Sequence, residues 1–573
     1  MTTTIARDWL TRLSDGLEHR ADLSGLFAGE CYWRDVVAFT GDLRTFAAEA
    51  VPAELAARQP EVKATGFRLA PGRVEPREVE RAGVPSIEAI FEFELGIGRG
   101  AGVVRLVPGP DGVHVARNLF TSLDELSGHP ERVGANRPVG QADSSKFDGP
   151  NWLDRRTEAV AYADHDPQVL IVGAGQSGLA LAARLGQLDV DALVIDVHER
   201  PGDNWRKRYH ALTLHNAVWL NDMPYMPFPQ TWPVFLPKDK LAGWFESYVD
   251  AMEINFWGGA TFEHAAFDER TGTWRARIRR AGGERELRPR HIVLATGVSG
   301  IPFIPEVAGL SDFDGTVLHS AAYTGGAEYA GRRAIIVGTG NSAHDIAQDL
   351  HANGAEVTMV QHAPTTVVSV DPSAALADAA YLTAPALEDS DIIGLSVPYP
   401  DLVTDSKALA ARMKELDADL VAGLERAGYR TDYGEDETGY QMKFMRRGGG
   451  YYLDVGCAGL IISGEVRLLP IADTAGFTAG GLRLTDGSLA EADLVVLATG
   501  FQPQQESVRR LLGDEVADAV GPIWGYDEEG EVRNMWRPTA QRGLWFSAGN
   551  FQMCRTYSKV LALQLRRALD EAG

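Results

Sequence analysis

The first twenty residues, MTTTIARDWLTRLSDGLEHR, follow the apolar-polar pattern of an amphipathic helix with acids and bases mixed along it. After LFAGECYWRDVVAF the period shortens to two. The runs SIEAIFEFEL (86–95), GVVRLV (102–107) and GVHVARNLF (112–120) alternate, with a PGPDG turn between the last two. That pattern predicts an antiparallel, curved sheet, so residues 1–128 read as a small helix-plus-sheet domain. The segment 128–150 is rich in Gly, Pro, Ser and Asp and predicts a linker, extended here over 129–164. From 167 the order becomes apolar strand, glycine loop, helix, apolar strand, and it recurs after 333. Residues 372–450 are acidic and helical, including SKALAARMKELDADLVAGLERAG, and read as an insertion or lid. The chain closes on SKVLALQLRRALDEAG, a helix with an apolar stripe.

A chain of 573 residues exceeds one core and fits roughly three or four domains. Hydrophobic residues make up 45% and charged residues 23%, as in a soluble globular protein. The net charge of −24 argues against nucleic acid, whose phosphates need clustered Lys and Arg, and against an anionic membrane surface. No apolar run is long enough for a membrane span. The N-terminus has no apolar signal core, and the three cysteines Cys31, Cys457 and Cys554 form no Cys-x-x-Cys pair. A reducing cytoplasmic setting is therefore expected, without a dithiol centre. The histidines show no HExxH or paired-ligand spacing, so no metal site is expected.

QVLIVGAGQSGLALAARLGQLDVDALVID (168–196) is a complete βαβ pattern. Gly173 allows the tight turn, Gly175 lets the backbone approach a pyrophosphate at the helix N-terminus, and Gly178 lets helix and strand pack closely. Asp196, at the end of the second strand, stands where a carboxylate binds ribose hydroxyls. The following VHERPGDNW places Gly202 and Trp205 where flavoproteins carry Gly-Gly-x-Trp, with Asp203 in place of the second glycine. Two strands, VLATG (293–297) and VVLATG (495–500), end on Gly297 and Gly500 and read as strands returning beside a bound nucleotide.

RRAIIVGTGNSAHDIAQDLHANGAEVTMVQHAP (332–364) repeats the unit. Gly338 and Gly340 match the first two glycines, Asn341 and Ser342 open the helix, and Ala343 takes the third position. The site of Asp196 is here occupied by the neutral Gln361, followed by His362. Two dinucleotide units with different strand ends bind different nucleotides, FAD at the first and a nicotinamide at the second. The residues alone thus point to a flavin- and nicotinamide-dependent oxidoreductase of α/β class with two Rossmann-like domains.

The stretch FDGTVLHSAAY (313–323) sits between the two loops. Its Phe-x-Gly-x-x-x-His-x-x-x-Tyr pattern, at Phe313, Gly315, His319 and Tyr323, resembles the flavin-containing monooxygenases, the class B flavoprotein monooxygenases, over roughly 165–573. VWLNDMP resembles the segment that holds an Asn beside the reactive flavin edge, here Asn221. LWFSAGNFQMCRTYSKVLALQ (544–564) resembles the C-terminal flavin-contacting stretch, with Gly549 and Asn550. Tyr323-Thr324 stands where Baeyer–Villiger relatives carry Trp-Pro, which favours the flavin-containing branch without excluding ketone oxygenation. The resemblance implies an FAD-binding domain over 165–328 and 495–573, an NAD(P)-binding domain over 329–494 that includes the helical insertion, and an NTF2-like cone over 1–128.

It further implies a monooxygenase that inserts one atom of O2 into a small organic substrate through a C4a-(hydro)peroxyflavin. The outcome would be S- or N-oxygenation, or Baeyer–Villiger oxidation of a ketone. His319 is expected to link domains or position cofactor. His215 is counted with the cofactor-binding positions, with a structural role as its competitor, and His344 is expected to be structural. Family members strict for NADPH place Arg near the end of the second strand. Gln361 and His362 there predict relaxed use of NADH and NADPH. Two alternatives stay open: an NAD(P)H oxidase or reductase without oxygen transfer, and a nucleotide-sensing protein. A homodimer is compatible with the sequence.

Overall fold

A computed structural model describes residues 1–139, 149–383 and 386–572. The N-terminal helix Thr2–His19 buries Ala6, Trp9, Leu10, Leu13 and Leu17, one stripe at helical spacing. It stops at Arg20, whose left-handed backbone returns its N–H to Gly16 O. A seven-stranded sheet follows. Its order is Leu43–Ala47, Phe27–Val36, His114–Leu126, Gly98–Pro108, Val84–Leu95 and Thr65–Leu69, with Arg77–Arg81 also pairing Val84–Leu95. The expected antiparallel pairing holds for most neighbours. Phe27–Val36 and His114–Leu126 run parallel, so the sheet is mixed. Phe93 lies opposite Gly100 and Phe91 opposite Gly102. A Cβ at Gly100 would stand 2.2 Å from the Phe93 ring, so each glycine makes room for an aromatic ring across the strand pair.

Residues 140–148, within the expected linker, lie outside the described residues. The remainder of 129–164 includes a helix, Trp152–Ala161. Asn151 starts it by accepting from Asp154 N–H, while the Asp154 carboxylate returns to the Asn151 N–H.

Two parallel five-stranded sheets form the body. The first is ordered Asn255–Trp257, Ala192–Ile195, Val169–Val172, His291–Leu294, Leu544–Phe546. The second is ordered Thr316–His319, Leu494–Leu497, Arg333–Val337, Glu356–Gln361, Val466–Pro470. The inner strands of the first sheet and Leu494–Leu497 of the second are buried throughout, as strands covered on both faces must be. Each unit also carries a three-stranded antiparallel meander just before its Ala-Thr-Gly strand, at 261–287 and at 474–491. Thr316–His319, ahead of the expected 329 boundary, and Leu494–Leu497, astride the 495 boundary, both run in the second sheet.

The stretch 372–450 is helical as expected, with helices Ala379–Thr383, Leu387–Leu395, Tyr399–Leu416, Ala418–Arg426 and Gly439–Arg447. Residues 384–385 fall outside the described set. The final helix, Phe551–Ala572, packs against the first-loop helix Gln176–Gln187.

Candidate active site

The first glycine loop is shaped by close approaches. Gly173 has φ +114°, and a Cβ on it would lie 2.5 Å from Ala295 O. A Cβ at Gly178 would lie 2.0 Å from Gly173 O, so helix and loop touch backbone to backbone. Gly175 differs, because its Cβ would meet only Asn204 Nδ2, at 3.3 Å. Asp196 accepts from Ala174 N–H at 2.7 Å and from His198 N–H at 2.9 Å. Each carboxylate oxygen therefore keeps a lone pair for a further donor.

Gly202 has φ +82° and opens the short helix Asp203–Arg206, with Ala242 O too close for any side chain there. Asp203, standing in place of a second glycine, is buried and paired with Arg206. The Trp205 ring stacks on Phe551 at 6.2 Å. The C-terminal stretch meets the first loop. Gln176 Nε2 donates to Gly549 O at 3.2 Å, Ser177 Oγ donates to Ser547 Oγ at 2.6 Å, and Asn550 Oδ1 caps the last helix by accepting from Met553 N–H.

The residues of 313–323 all serve the second sheet. Phe313 packs on Phe477. A Cβ at Gly315 would strike both the Phe313 ring and Asp493 O. His319 Nδ1 accepts from Ala321 N–H at 3.1 Å, so Nε2 carries the proton and donates to Gly500 O at 3.0 Å. Burial holds this histidine below its ordinary pKa, hence neutral. Tyr323 donates its hydroxyl to Asp349 on the second-loop helix Asn341–Ala352 at 2.7 Å. Gly500 and Gly297 are both left-handed, and Gly297 O accepts from Gln504 Nε2. The motif thus fixes the Ala-Thr-Gly turn and the second-loop helix relative to each other.

The second loop repeats the first. Gly338 has φ +126° and sits against Ala498 O as Gly173 sits against Ala295 O. Gly340 opens the helix, and Ala343 is fully buried. Asn341 Oδ1 accepts from Leu453 N–H, which ties it to the strand Tyr451–Asp454, and Ser342 lies half-buried in the same turn. His344 stacks on Tyr452 and donates from Nδ1 to Gly340 O at 3.1 Å, and burial lowers its pKa to about 4.

Two placements correct the sequence reading. Gln361 is 1% exposed. Its Nε2 donates to Arg430 O at 2.9 Å, and its Oε1 accepts from Arg430 N–H at 2.8 Å. Its amide is spent on the insertion and is not offered to a nucleotide. The strand end is also not devoid of a fixed cation. The exposed Arg430 guanidinium donates to the carbonyl of His362, itself exposed, at 2.7 Å. His215 lies 3.6 Å from Asp345 on the second-loop helix, and Asp345 also accepts the Tyr209 hydroxyl, so His215 spans the two dinucleotide units.

Asn221 is 2% exposed and follows the 3-10 turn Val218–Leu220; its Nδ2 donates to Asn216 O at 3.2 Å. The sequence reading missed what holds this turn. Arg555 Nη1 donates to Leu220 O and to Asp222 O, both at 2.8 Å, and its Nε and Nη2 grip Asp391, both at 2.7 Å. The available signal was a single arginine among the buried Phe551, Met553, Cys554 and Tyr557 of the last helix. Asp378, also missed, accepts from Ala217 N–H, and burial raises its carboxyl to about 6. A cavity of about 800 Å³ lies against the same turn, lined by Asp222, Met223, Tyr225, Arg555, Asp391 and the N-terminal sheet residue Leu123, among others.

Residues 170–381 match the pyridine nucleotide-disulphide oxidoreductase family. The chain is 32% identical over 352 residues to indole-3-pyruvate monooxygenase YUCCA1 of Oryza sativa subsp. japonica, covering 61% of this chain and 80% of that protein. The chain belongs to the class B flavin-containing monooxygenases. A probable indole-3-pyruvate monooxygenase, YUCCA9 of Arabidopsis thaliana, is also 32% identical, over 58% of this chain and 74% of that one. Among solved structures, an open form of cyclohexanone monooxygenase superposes with a TM-score of 0.51 at 18% identity, over 71% of this chain and 88% of the other. Cyclohexanone monooxygenase from Rhodococcus sp. Phi1 bound to NADP+ gives 0.50 at 18%, over 71% and 85%. At that identity the likeness concerns the fold.

As a class B monooxygenase, the protein is an NAD(P)H-dependent flavoenzyme, and its family uses FAD and NADPH. The first loop fits FAD on its own evidence. Asn204 Oδ1 and Trp205 Nε1 are buried without a hydrogen-bond partner, beside the one loop glycine whose Cβ would otherwise have room. No helix among the described residues is long and apolar enough to cross a membrane.

Proposed function

We propose that the protein oxygenates a small organic substrate by sulfur or nitrogen oxygenation, or by Baeyer–Villiger oxidation of a ketone. FAD would sit on the first loop and NADPH on the second. The overall reaction takes substrate, O2, NADPH and a proton to oxygenated substrate, NADP+ and water. The observation that carries this reading is the buried Asn221 amide, in a turn held by the Arg555 fork, in a chain that has two glycine loops of the same build. The chemistry that bound FAD supplies is hydride acceptance from the nicotinamide and activation of O2.

The chain's own residues bind, orient and exclude water. Gly175 and the first N–H groups of its helix receive the pyrophosphate, and Asp196 receives ribose hydroxyls. Asn204 and Trp205 offer their unpaired polar atoms to the flavin side. Asn221 holds its amide at the reacting edge in a turn closed to solvent, where a hydrogen bond is worth more than in water. At the second loop, Arg430 offers a fixed cation to the adenosine 2′-phosphate, which supports a preference for NADPH in place of the relaxed use expected from Gln361 and His362. The N-terminal helix and curved sheet are read as an NTF2-like cone.

The activity named for the plant relatives makes indole-3-pyruvate and other 2-oxo acids candidates beside sulfides, amines and ketones. The test is to purify the protein with FAD and titrate NADPH consumed against oxygenated product across these four classes. One product per NADPH for any class supports the proposal. Hydrogen peroxide as the sole product with all four would replace it with an NADPH oxidase.

A further inference from the structure

The short helix Leu387–Leu395 belongs to the insertion, yet the N-terminal domain grips it at both ends. At its start, Asp389 is 1% exposed and accepts from Val74 N–H at 2.9 Å. At its end the carbonyls of Ile393 and Leu395 meet two buried arginines of the N-terminal sheet. Arg34 donates to Leu395 O. Arg105 reaches Ile393 O at 3.4 Å and Ser396 Oγ at 2.8 Å. Both arginines are anchored from behind. Arg34 is forked onto Glu531 at 2.7 and 2.6 Å, and Arg105 pairs with Glu88, which Arg77 and Arg81 also contact.

From the middle of this helix Asp391 projects to Arg555 and also accepts the Tyr381 hydroxyl at 3.0 Å. Two N–H groups of the Arg555 fork are spent on Asp391, and Nη1 is spent on Leu220 O and Asp222 O. Those carbonyls flank Asn221. A rotation of the peptide between Leu220 and Asn221 would swing the Asn221 amide, so the fork, which also fixes Asp222 O, sets where that amide points. Displacements of about 1 Å in such a group cost up to ~100-fold in rate.

We infer that the N-terminal domain is part of the apparatus that positions Asn221. It acts through Arg34 and Arg105 on the helix Leu387–Leu395, and through the Asp391–Arg555 pair on the Asn221 turn. Arg34, Arg105, Asp391 and Arg555 are positioning residues; none is assigned contact with substrate or cofactor. The functional consequence rests on the reading of Asn221 given above, whereas the mechanical linkage does not.

Arg105→Lys keeps a cation beside Glu88 but removes the fork that reaches Ile393 O and Ser396. Hydrogen–deuterium exchange on the full-length holoenzyme should show amides in 387–396 and in 217–223 exchanging on the order of tenfold faster, with 170–180 unchanged. Asp391→Asn, which keeps shape and removes charge, should loosen 217–223 in the same way. With both variants, hydrogen peroxide released per NADPH without added substrate should rise while KM for NADPH stays put. Exchange changes confined to 387–396, or spread evenly over the chain, would overturn the linkage. Asn221→Ala serves as the separate control. If it leaves peroxide release unchanged, the role of Asn221 fails while the exchange pattern still decides the linkage.

Discussion

The Gln361 side chain pairs twice with the backbone of Arg430, across 69 residues, donating at 2.9 Å and accepting at 2.8 Å. The pair closes the end of the second-sheet strand onto the insertion and leaves the Arg430 guanidinium at the His362 carbonyl. The equivalent strand end of the first sheet is followed by the acid Asp196, so the two units differ in charge at that point.

Arg430→Ala should lower kcat/KM for NADPH by about 10- to 100-fold, the worth of a charge-assisted hydrogen bond, and change NADH little. Gln361→Arg should not improve NADPH use. It removes the amide that fixes Arg430 and buries a charge in its place. The measurement is kcat/KM with both nucleotides for each variant. An unchanged NADPH-to-NADH ratio in Arg430→Ala would remove Arg430 from the site.

Gly175 and Gly178 should respond differently. Gly178→Ala puts a Cβ on Gly173 O and should impair folding itself. Gly175→Val meets little protein and should fold, but without FAD, because its side chain takes the space of the pyrophosphate. Circular dichroism and flavin absorbance on the same samples separate the two effects. A folded Gly175→Val protein with full flavin content would contradict the assignment.

Asn221→Ala should still oxidise NADPH, with the electrons ending in hydrogen peroxide. Product per NADPH should fall by roughly tenfold or more, as when a preorganised donor is lost from a closed site. Flavin content should be unchanged. The check is the peroxide-to-product ratio under single-substrate conditions.

Asp378 gives a pH signature. Its carboxyl is raised by burial from 3.8 to about 6, so the folded protein holds more protons than the unfolded chain between those values. Its ionisation therefore costs stability as pH rises through about 6, and that cost is absent in acid. Asp378→Asn, neutral throughout, should stabilise the protein by about 1–2 kcal/mol at about pH 8, after discounting for partial exposure, and by nothing near pH 4. Melting temperatures at the two pH values test it. Equal gains at both would show that the effect is packing and not charge.

The sequence by itself determined the parts whose signal is local. Gly173 and Gly178 announce a strand–turn–helix because the constraint on each is set by atoms within one βαβ unit or beside the adjoining strand. Alternation along 86–120 announced a sheet because side chains alternate faces with period two. The spacing of Phe313, Gly315, His319 and Tyr323 identified the family before any contact was known. Only the tertiary structure decided the rest. Whether Gln361 faces a nucleotide depends on Arg430, which lies on another segment. The parallel pairing of Phe27–Val36 with His114–Leu126 joins strands nearly ninety residues apart, and no local period encodes it. The hold on Asn221 runs through Arg555 and Asp391 to Arg34 and Arg105. Each is an ordinary charged residue in its own stretch, and each gains meaning only where folding buries it against the others. Charge buried far from water must find a partner, and the identity of that partner is a property of the packed chain.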